Sequence, residues 1–336
     1  MPLIEFSDKG LYCRAGGFYI DPWRPVEKAV ITHAHSDHAR WGSQHYLSHH
    51  DTTPLLQLRL GPNRYQGVGW NEPVYINGVR VTLFPAGHII GSSQVRVEHG
   101  GEIWVVSGDY KLENDGLSGA FEPVKCHSFI TESTFGLPIY NWKPQEEIYS
   151  SMKTWIRQNM EAGKTSVLFA YSLGKAQRLL SPVSEVTQNI LVHGAVYNVH
   201  MALVNAGWKL PAVERVTPET SKEKLKGAVV IAPSSAEGSP WLKRFTPYER
   251  GICSGWMQVR GNVRRKNVDA GFTLSDHADW NGLIQACKAT EAECVYTTHG
   301  FQSAFTRYLN ENGIQSREVK TEYGDETEDA SIENET

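Results

Sequence analysis

Thr32-His33-Ala34-His35-Ser36-Asp37-His38 places four potential metal ligands within six residues, directly after the apolar run Lys28-Ala29-Val30-Ile31. A short apolar run of this kind reads as a buried strand, so the ligands stand at a strand end. Imidazoles at alternate positions of an extended or tightly turned segment can point at one ion, and Asp37 with His38 can face a second. Mixed imidazole and carboxylate ligation suits Zn²⁺, Mn²⁺ or Fe²⁺ and disfavours a soft thiolate site. The five cysteines agree: they are odd in number, scattered and free of any CxxC pair, which reads as reduced core cysteines in a cytoplasmic protein.

Two further segments add ligand types at strand ends beside a glycine. Phe84-Pro85-Ala86-Gly87-His88 follows the strand pattern VRVTL, and Val105-Val106-Ser107-Gly108-Asp109 follows EIW. A carboxylate such as Asp109 can bridge two cations and offset part of their mutual repulsion. Around these motifs the first 135 residues read as short strands, with Asn77-Gly78 and Gly100-Gly101 as hairpin turns.

From about residue 143 the pattern changes. Ile148, Met152, Trp155, Ile156 and Met160 fall on one helical face, TSVLFAY follows as a buried strand, and strand and helix patterns then alternate as in a doubly wound α/β unit. The expected organisation is a β-rich α/β body over 1–140, an α/β insertion over 141–265, a return to the body over 266–320, and an extension over 321–336.

That extension carries seven acids and no Lys or Arg, so the rest of the chain has 33 basic residues against 30 acids and is mildly basic although the whole has a net charge of −4. The extension has too few apolar residues to fold alone and is expected to be disordered. No apolar run approaches the roughly 20 residues of a membrane span, and the first residues show no secretory signal, so the cytoplasm is the expected compartment and no membrane partner is expected.

Together, HAHSDH with Asp21 before it and His88 and Asp109 after it resembles the metallo-β-lactamase fold, an αββα sandwich with metals at its strand ends. Ile130-Thr131-Glu132-Ser133-Thr134-Phe135-Gly136, Leu274-Ser275-Asp276-His277-Ala278-Asp279 and Tyr296-Thr297-Thr298-His299-Gly300 resemble the three later motifs of the β-CASP nucleases, which carry an inserted α/β cap between the first and second. ESTFGLPIYNW, SGWMQVRG and FTLSDHADW resemble the bacterial ligase-associated DNA exonucleases. The resemblance therefore implies a metal-dependent exonuclease acting on single-stranded or end-containing DNA from a 5′ end, in repair, with DNA ligase and helicase partners. RNA-acting members have histidine at the position of His299, where DNA-acting cross-link repair members tend to have valine. An RNA-processing ribonuclease of the RNase J type is thus the alternative.

The same resemblance implies two zinc or manganese ions, one held by His33, His35, His88 and Asp109 and the other by Asp37, His38, Asp109 and His299. Asp21 would orient the histidine turn, although on its own it reads as an Asp-Pro turn residue. His277 would protonate the leaving oxygen with Glu132 at its other ring nitrogen. A capping neighbour at a helix start is its plainer reading, with Ser275 or Asp276 able to cap instead.

For substrate, Ser172 with Lys175 and Arg178, and Ser234-Ser235 on a neighbouring strand, read as helix starts suited to phosphate, or as plain caps. Arg264 and Arg265, within the run that also holds Arg260 and Lys266, are expected to track a backbone. Trp23, Trp41, Tyr140 and Trp142 are candidate base-stacking platforms.

Overall fold

The computed structural model describes residues 2–259 and 268–322. The described residues form two compact units, one made of 2–141 and 277–322, the other lying within 142–276.

The first unit holds two sheets. One has six strands in chain order, Glu5–Ser7, Gly10–Cys13, Phe18–Ile20, Lys28–Val30, His45–His49 and Arg64–Val68, the last four running parallel. The other has seven, ordered Ser316–Glu318, Cys294–Gly300, Ser128–Ser133, Glu102–Val106, Ser93–His99, Val79–Pro85 and Val74–Ile76. Both hairpins form where Asn-Gly and Gly-Gly stand, with Ile76 opposite Val79 and His99 opposite Glu102. All four turn residues have positive φ, the backbone hand that matches strand twist.

Side-chain alternation sorts the apolar residues of the second sheet between two cores. Trp104, Val106 and Ile130 face Ile20, Val30 and Leu47 of the first sheet. Val105, Phe129 and Val295 face away from it, against Leu283 and Cys287 of the helix Trp280–Ala289 and Phe305 and Leu309 of Gln302–Glu311.

The ladder register decides where the motifs go. Pro85 pairs with Ser93 and Val106 with both Val95 and Ile130, so the chain leaves Val79–Pro85, Glu102–Val106 and Ser128–Ser133 at one end of the sheet. Ser93 N–H donates to Thr32 O (2.8 Å), which brings the exit of Lys28–Val30 to that same end. Two glycines make the approach possible. At Gly108 (φ 57°) a Cβ would lie 2.7 Å from Thr32 Cβ, and at Gly87 (φ 76°) 2.5 Å from Lys111 O.

The second unit is built on one all-parallel sheet, ordered Glu214–Arg215, Ile190–Val192, Val229–Ala232, Thr165–Phe169, Tyr248–Cys253, Ala270–Phe272. Leu168, Ile190 and Ile231 pack on one face with Met152 and Ile156 of the helix Gln145–Glu161, and Val167, Phe169 and Val230 pack on the other with Leu242 and Phe245. Burial on both faces explains why these strands read as unbroken apolar runs. Gly251, Ile252 and Cys253 pair with Ala270, Gly271 and Phe272, and the second unit runs on to Asp276. Among the described residues no helix is long and apolar enough to cross a membrane.

Candidate metal centre

Asp109 organises the centre. Its carboxylate is 2% exposed, and its two oxygens face different histidines. Oδ2 lies 3.4 Å from His33 Nε2 and 3.7 Å from His88 Nε2, while Oδ1 lies 3.0 Å from His299 Nε2 and 3.5 Å from His38 Nε2. His35 joins the first group through its Nδ1, 3.0 Å from His88 Nε2. One side chain thus faces two sets of ligand atoms, as a bridging carboxylate must. Asp37 Oδ2 stands 3.5 Å from His38 Nε2, at the rim of the second set.

The outer nitrogens are held by neighbours that fix the ring orientations. Asp21, in a left-handed conformation at φ 44°, accepts from Thr32 N–H (2.8 Å) and Thr32 Oγ1 (2.5 Å), and its Oδ2 lies 2.7 Å from His38 Nδ1. Its carboxylate is turned into the centre and does more than shape an Asp-Pro turn. Thr32 Oγ1 also lies 3.1 Å from His33 Nδ1, and Thr298 Oγ1 lies 3.1 Å from His299 Nδ1. These two threonines are absent from the sequence-derived candidates, yet each immediately precedes a candidate histidine, in THAH and TTHG, and that adjacency is the signal.

Burial and mutual charge set the titration of the group. Burial, with His38 nearby, pushes His33 well below the usual histidine range. Burial would also lower His38, but Asp109, Asp37 and Asp21 outweigh it and hold the imidazole well above that range. In the same way burial would raise Asp109, and the histidines, led by His38 and His299, keep it well below the usual carboxylate range. His33 Nε2 is buried without a hydrogen-bond partner while facing this carboxylate. An imidazole nitrogen so placed suits a cation between the two groups, and the neutral His33 side chain is the form that ligates. The residues therefore fit divalent metal ions.

A third grouping, Asp109 with Glu132 and His277, borders the first two. His277 Nδ1 lies 3.1 and 3.0 Å from the two Glu132 oxygens, and Glu132 also accepts from Tyr110 N–H at 2.8 Å. The ring of His277 sits 4.6 Å from that of His88. Helix capping falls to a residue the sequence reading passed over: Asp279 Oδ1 accepts from Gly282 N–H (2.8 Å), so neither Ser275 nor Asp276 caps the helix Trp280–Ala289.

In the second unit the helix-start candidates for phosphate differ in exposure. Lys175 and Arg178 are 5% and 4% exposed. Arg178 Nη1 donates to Asp276 Oδ1 (2.9 Å) and Ser275 O (2.6 Å), its Nε donates to Tyr149 OH (3.0 Å), and Lys175 Nζ stands 3.5 Å from Asp276 Oδ2. Their charge is committed to Asp276. Gln177 occupies the start of the helix Lys175–Ser184, accepting from Gly174 N–H (2.8 Å) and donating to Ser172 O (3.0 Å).

Ser172, in the turn after Thr165–Phe169, and Ser234, in the short 3-10 helix Ser234–Ala236 after the adjacent strand Val229–Ala232, are half-buried, and Ser235 is exposed. Of the aromatic candidates, Trp23 and Tyr140 are buried, Trp142 is half-buried and Trp41 is 74% exposed. Arg260, Arg264, Arg265 and Lys266 lie outside the described residues.

No family model matches the chain. It is similar to a probable DNA ligase of Opitutus terrae, 31% identical over 318 residues, which is 93% of this chain and 30% of the ligase. Over its own partial length it is similar to the cleavage and polyadenylation specificity factor subunit 3 of Dictyostelium discoideum (31% over 124 residues, 36% of this chain, 16% of that protein) and to the endoribonuclease ysh1 of Aspergillus fumigatus (25% over 213 residues, 61% and 23%). The chain spans less than a third of the length of each of these relatives. They are consistent with a β-CASP metallo-β-lactamase family. A crystal structure of a protein of unknown function from Enterococcus faecalis V583 shares the fold, with a TM-score of 0.62 over 88% of this chain and 79% of that one at 12% identity.

Proposed function

We propose that this chain is a metal-dependent DNA exonuclease of the ligase-associated β-CASP type, its first unit an αββα metallo-β-lactamase sandwich and its second the cap. The observation that carries the reading is the divided Asp109 carboxylate, with His33, His35 and His88 to one side and His38, His299 and Asp37 to the other, beside the His277–Glu132 pair.

Two divalent cations, zinc or manganese, would supply the Lewis acidity for water attack on a phosphodiester. This chain's own residues do the rest. Thr32, Asp21 and Thr298 hold the ligating rings in orientation. Glu132 binds Nδ1 of His277, so the proton passed to the leaving 3′-oxygen comes from Nε2, and the carboxylate favours the protonated ring that can give it. Burial of Glu132, at 1% exposed, keeps water from competing for that contact.

The DNA assignment draws on the similarity to a protein named as a ligase, and with it go the proposals of a ligase partner and of a repair role in the cytoplasm. Ser172 and Ser234-Ser235 are proposed to receive a 5′-phosphate, with Trp41 as an exposed stacking surface. RNA is the second reading, favoured by His299 and by relatives named as endoribonucleases. Incubation with 5′- and 3′-labelled DNA and RNA strands, and with circular single-stranded DNA, separates them. Mononucleotides released from the 5′ end of DNA, with the circle inert, are expected; faster cleavage of RNA or nicking of the circle would overturn the proposal.

A further inference from the structure

The helix Thr53–Leu60 contains none of the candidate ligands, yet it is bonded to the backbone of two ligand loops. At its last turn Arg59 Nη1 donates to Ala34 O (2.5 Å) and to Ala39 O (3.5 Å). Those two carbonyls bracket the turn that holds His35, Asp37 and His38, itself closed by Ala39 N–H donating to His35 O (2.8 Å). At the other end of the helix, Thr52 Oγ1 donates to Gly91 O (2.8 Å). Gly91 belongs to the loop after His88, where Ser92 Oγ accepts from His88 N–H at 2.9 Å. The packing at Gly91 is close enough that a Cβ there would fall 2.5 Å from Thr52 Oγ1.

Both residues forgo their ordinary use. A threonine at a helix N-cap normally accepts from a backbone N–H of the first turn. Thr52 makes no such side-chain cap bond and donates to Gly91 O instead. Arginine in a last turn ordinarily serves the helix carbonyls or solvent, whereas Arg59 reaches across to another loop. Local stability given up in favour of contacts to the ligand loops marks a functional constraint.

We infer that Thr53–Leu60 is the positioning element of the metal centre, with Arg59 setting the turn of His35, Asp37 and His38 and Thr52 setting the loop of His88. The inference rests on the reading that these residues hold two cations. Neither Arg59 nor Thr52 ligates; each acts through the backbone of residues that do.

The test is titration of the metal-free full chain with zinc against a chromophoric chelator, alongside thermal melting. The wild type should bind two equivalents. Arg59→Met should weaken zinc binding about tenfold, the low end of what loss of a supporting contact costs a metal site, and Arg59→Lys, which can still donate to both carbonyls, should recover most of that loss. Leu58→Lys added to Arg59→Met restores last-turn charge without the cross-loop contact and should leave binding weak. Thr52→Val, compared with Thr52→Ser, tests the other end of the helix independently and should also weaken zinc. Wild-type affinity in both Arg59→Met and Thr52→Val would overturn the inference alone, as would full recovery through Leu58→Lys. A wild-type chain that binds no zinc would overturn the reading of the centre, and this inference with it.

Discussion

Two clusters of buried charge stand at the ends of parallel strands in this chain, and they are built on opposite plans. In the second unit Asp276 is matched by the ammonium of Lys175 and the guanidinium of Arg178, with Tyr149, Ser275 and Gln145 satisfying the guanidinium. In the first, the basic groups facing Asp109 are the imidazoles of His33, His38, His88 and His299, which carry charge conditionally. The lesson is that burial and charge alone do not mark a reactive site. A carboxylate held by Arg and Lys is internally balanced; one ringed by histidines can exchange protons for metal ions.

The sharpest way to break the contrast is to remove each carboxylate. Asp109→Ala should abolish metal binding and phosphodiester cleavage while the chain stays folded, since its partners lie at the strand ends; atomic absorption and a nuclease assay check this. His277→Ala should follow in size, slowing cleavage by about 10²–10⁴-fold with metal content unchanged. That defect should shrink on a nitrophenyl phosphodiester, whose leaving group needs no proton, and an equal defect on both substrates would assign His277 a structural role.

In the second unit the effect should appear as stability. Arg178→Met leaves Asp276 buried without its nearest cation and should cost about 3–5 kcal/mol in denaturant unfolding. Adding Asp276→Leu together with Lys175→Met, which removes the whole buried cluster, should recover much of it. If Arg178→Met instead spared stability and weakened DNA binding, the phosphate-platform reading would return.

The contrast also shows what the sequence could and could not convey. Covalent spacing made HAHSDH legible, because alternate residues of a tight segment necessarily come close, and the strand-end glycines at Gly87 and Gly108 announced backbone crowding. Hairpin turns were legible for the same local reason. Pairings across long sequence separations were not: nothing near Arg178 indicates that Asp276 neutralises it, and nothing near residue 265 indicates that Ala270–Phe272 completes the second unit's sheet. Thr32 and Thr298 lay between these cases, visible as neighbours of histidines but without a direction until the fold gave one.

A smaller effect concerns a histidine outside the centre. His49 stacks on Trp70 at 3.6 Å, and burial lowers its pKa to about 4 despite Asp51 nearby. The unfolded chain therefore binds a proton at this ring below about pH 6.5, whereas the folded chain does so only near pH 4. Its contribution is present above the unfolded pKa and fades as pH falls between those values. His49→Gln should flatten the decline of the melting temperature over that window, and an unchanged slope would remove His49 as a cause.

Most direct of all is the metal content of the purified full chain after exhaustive removal of loosely bound ions. Two transition-metal equivalents per chain, falling to none in Asp109→Ala, are predicted. A fully active chain with no bound metal, or wild-type metal content in Asp109→Ala, would contradict the account.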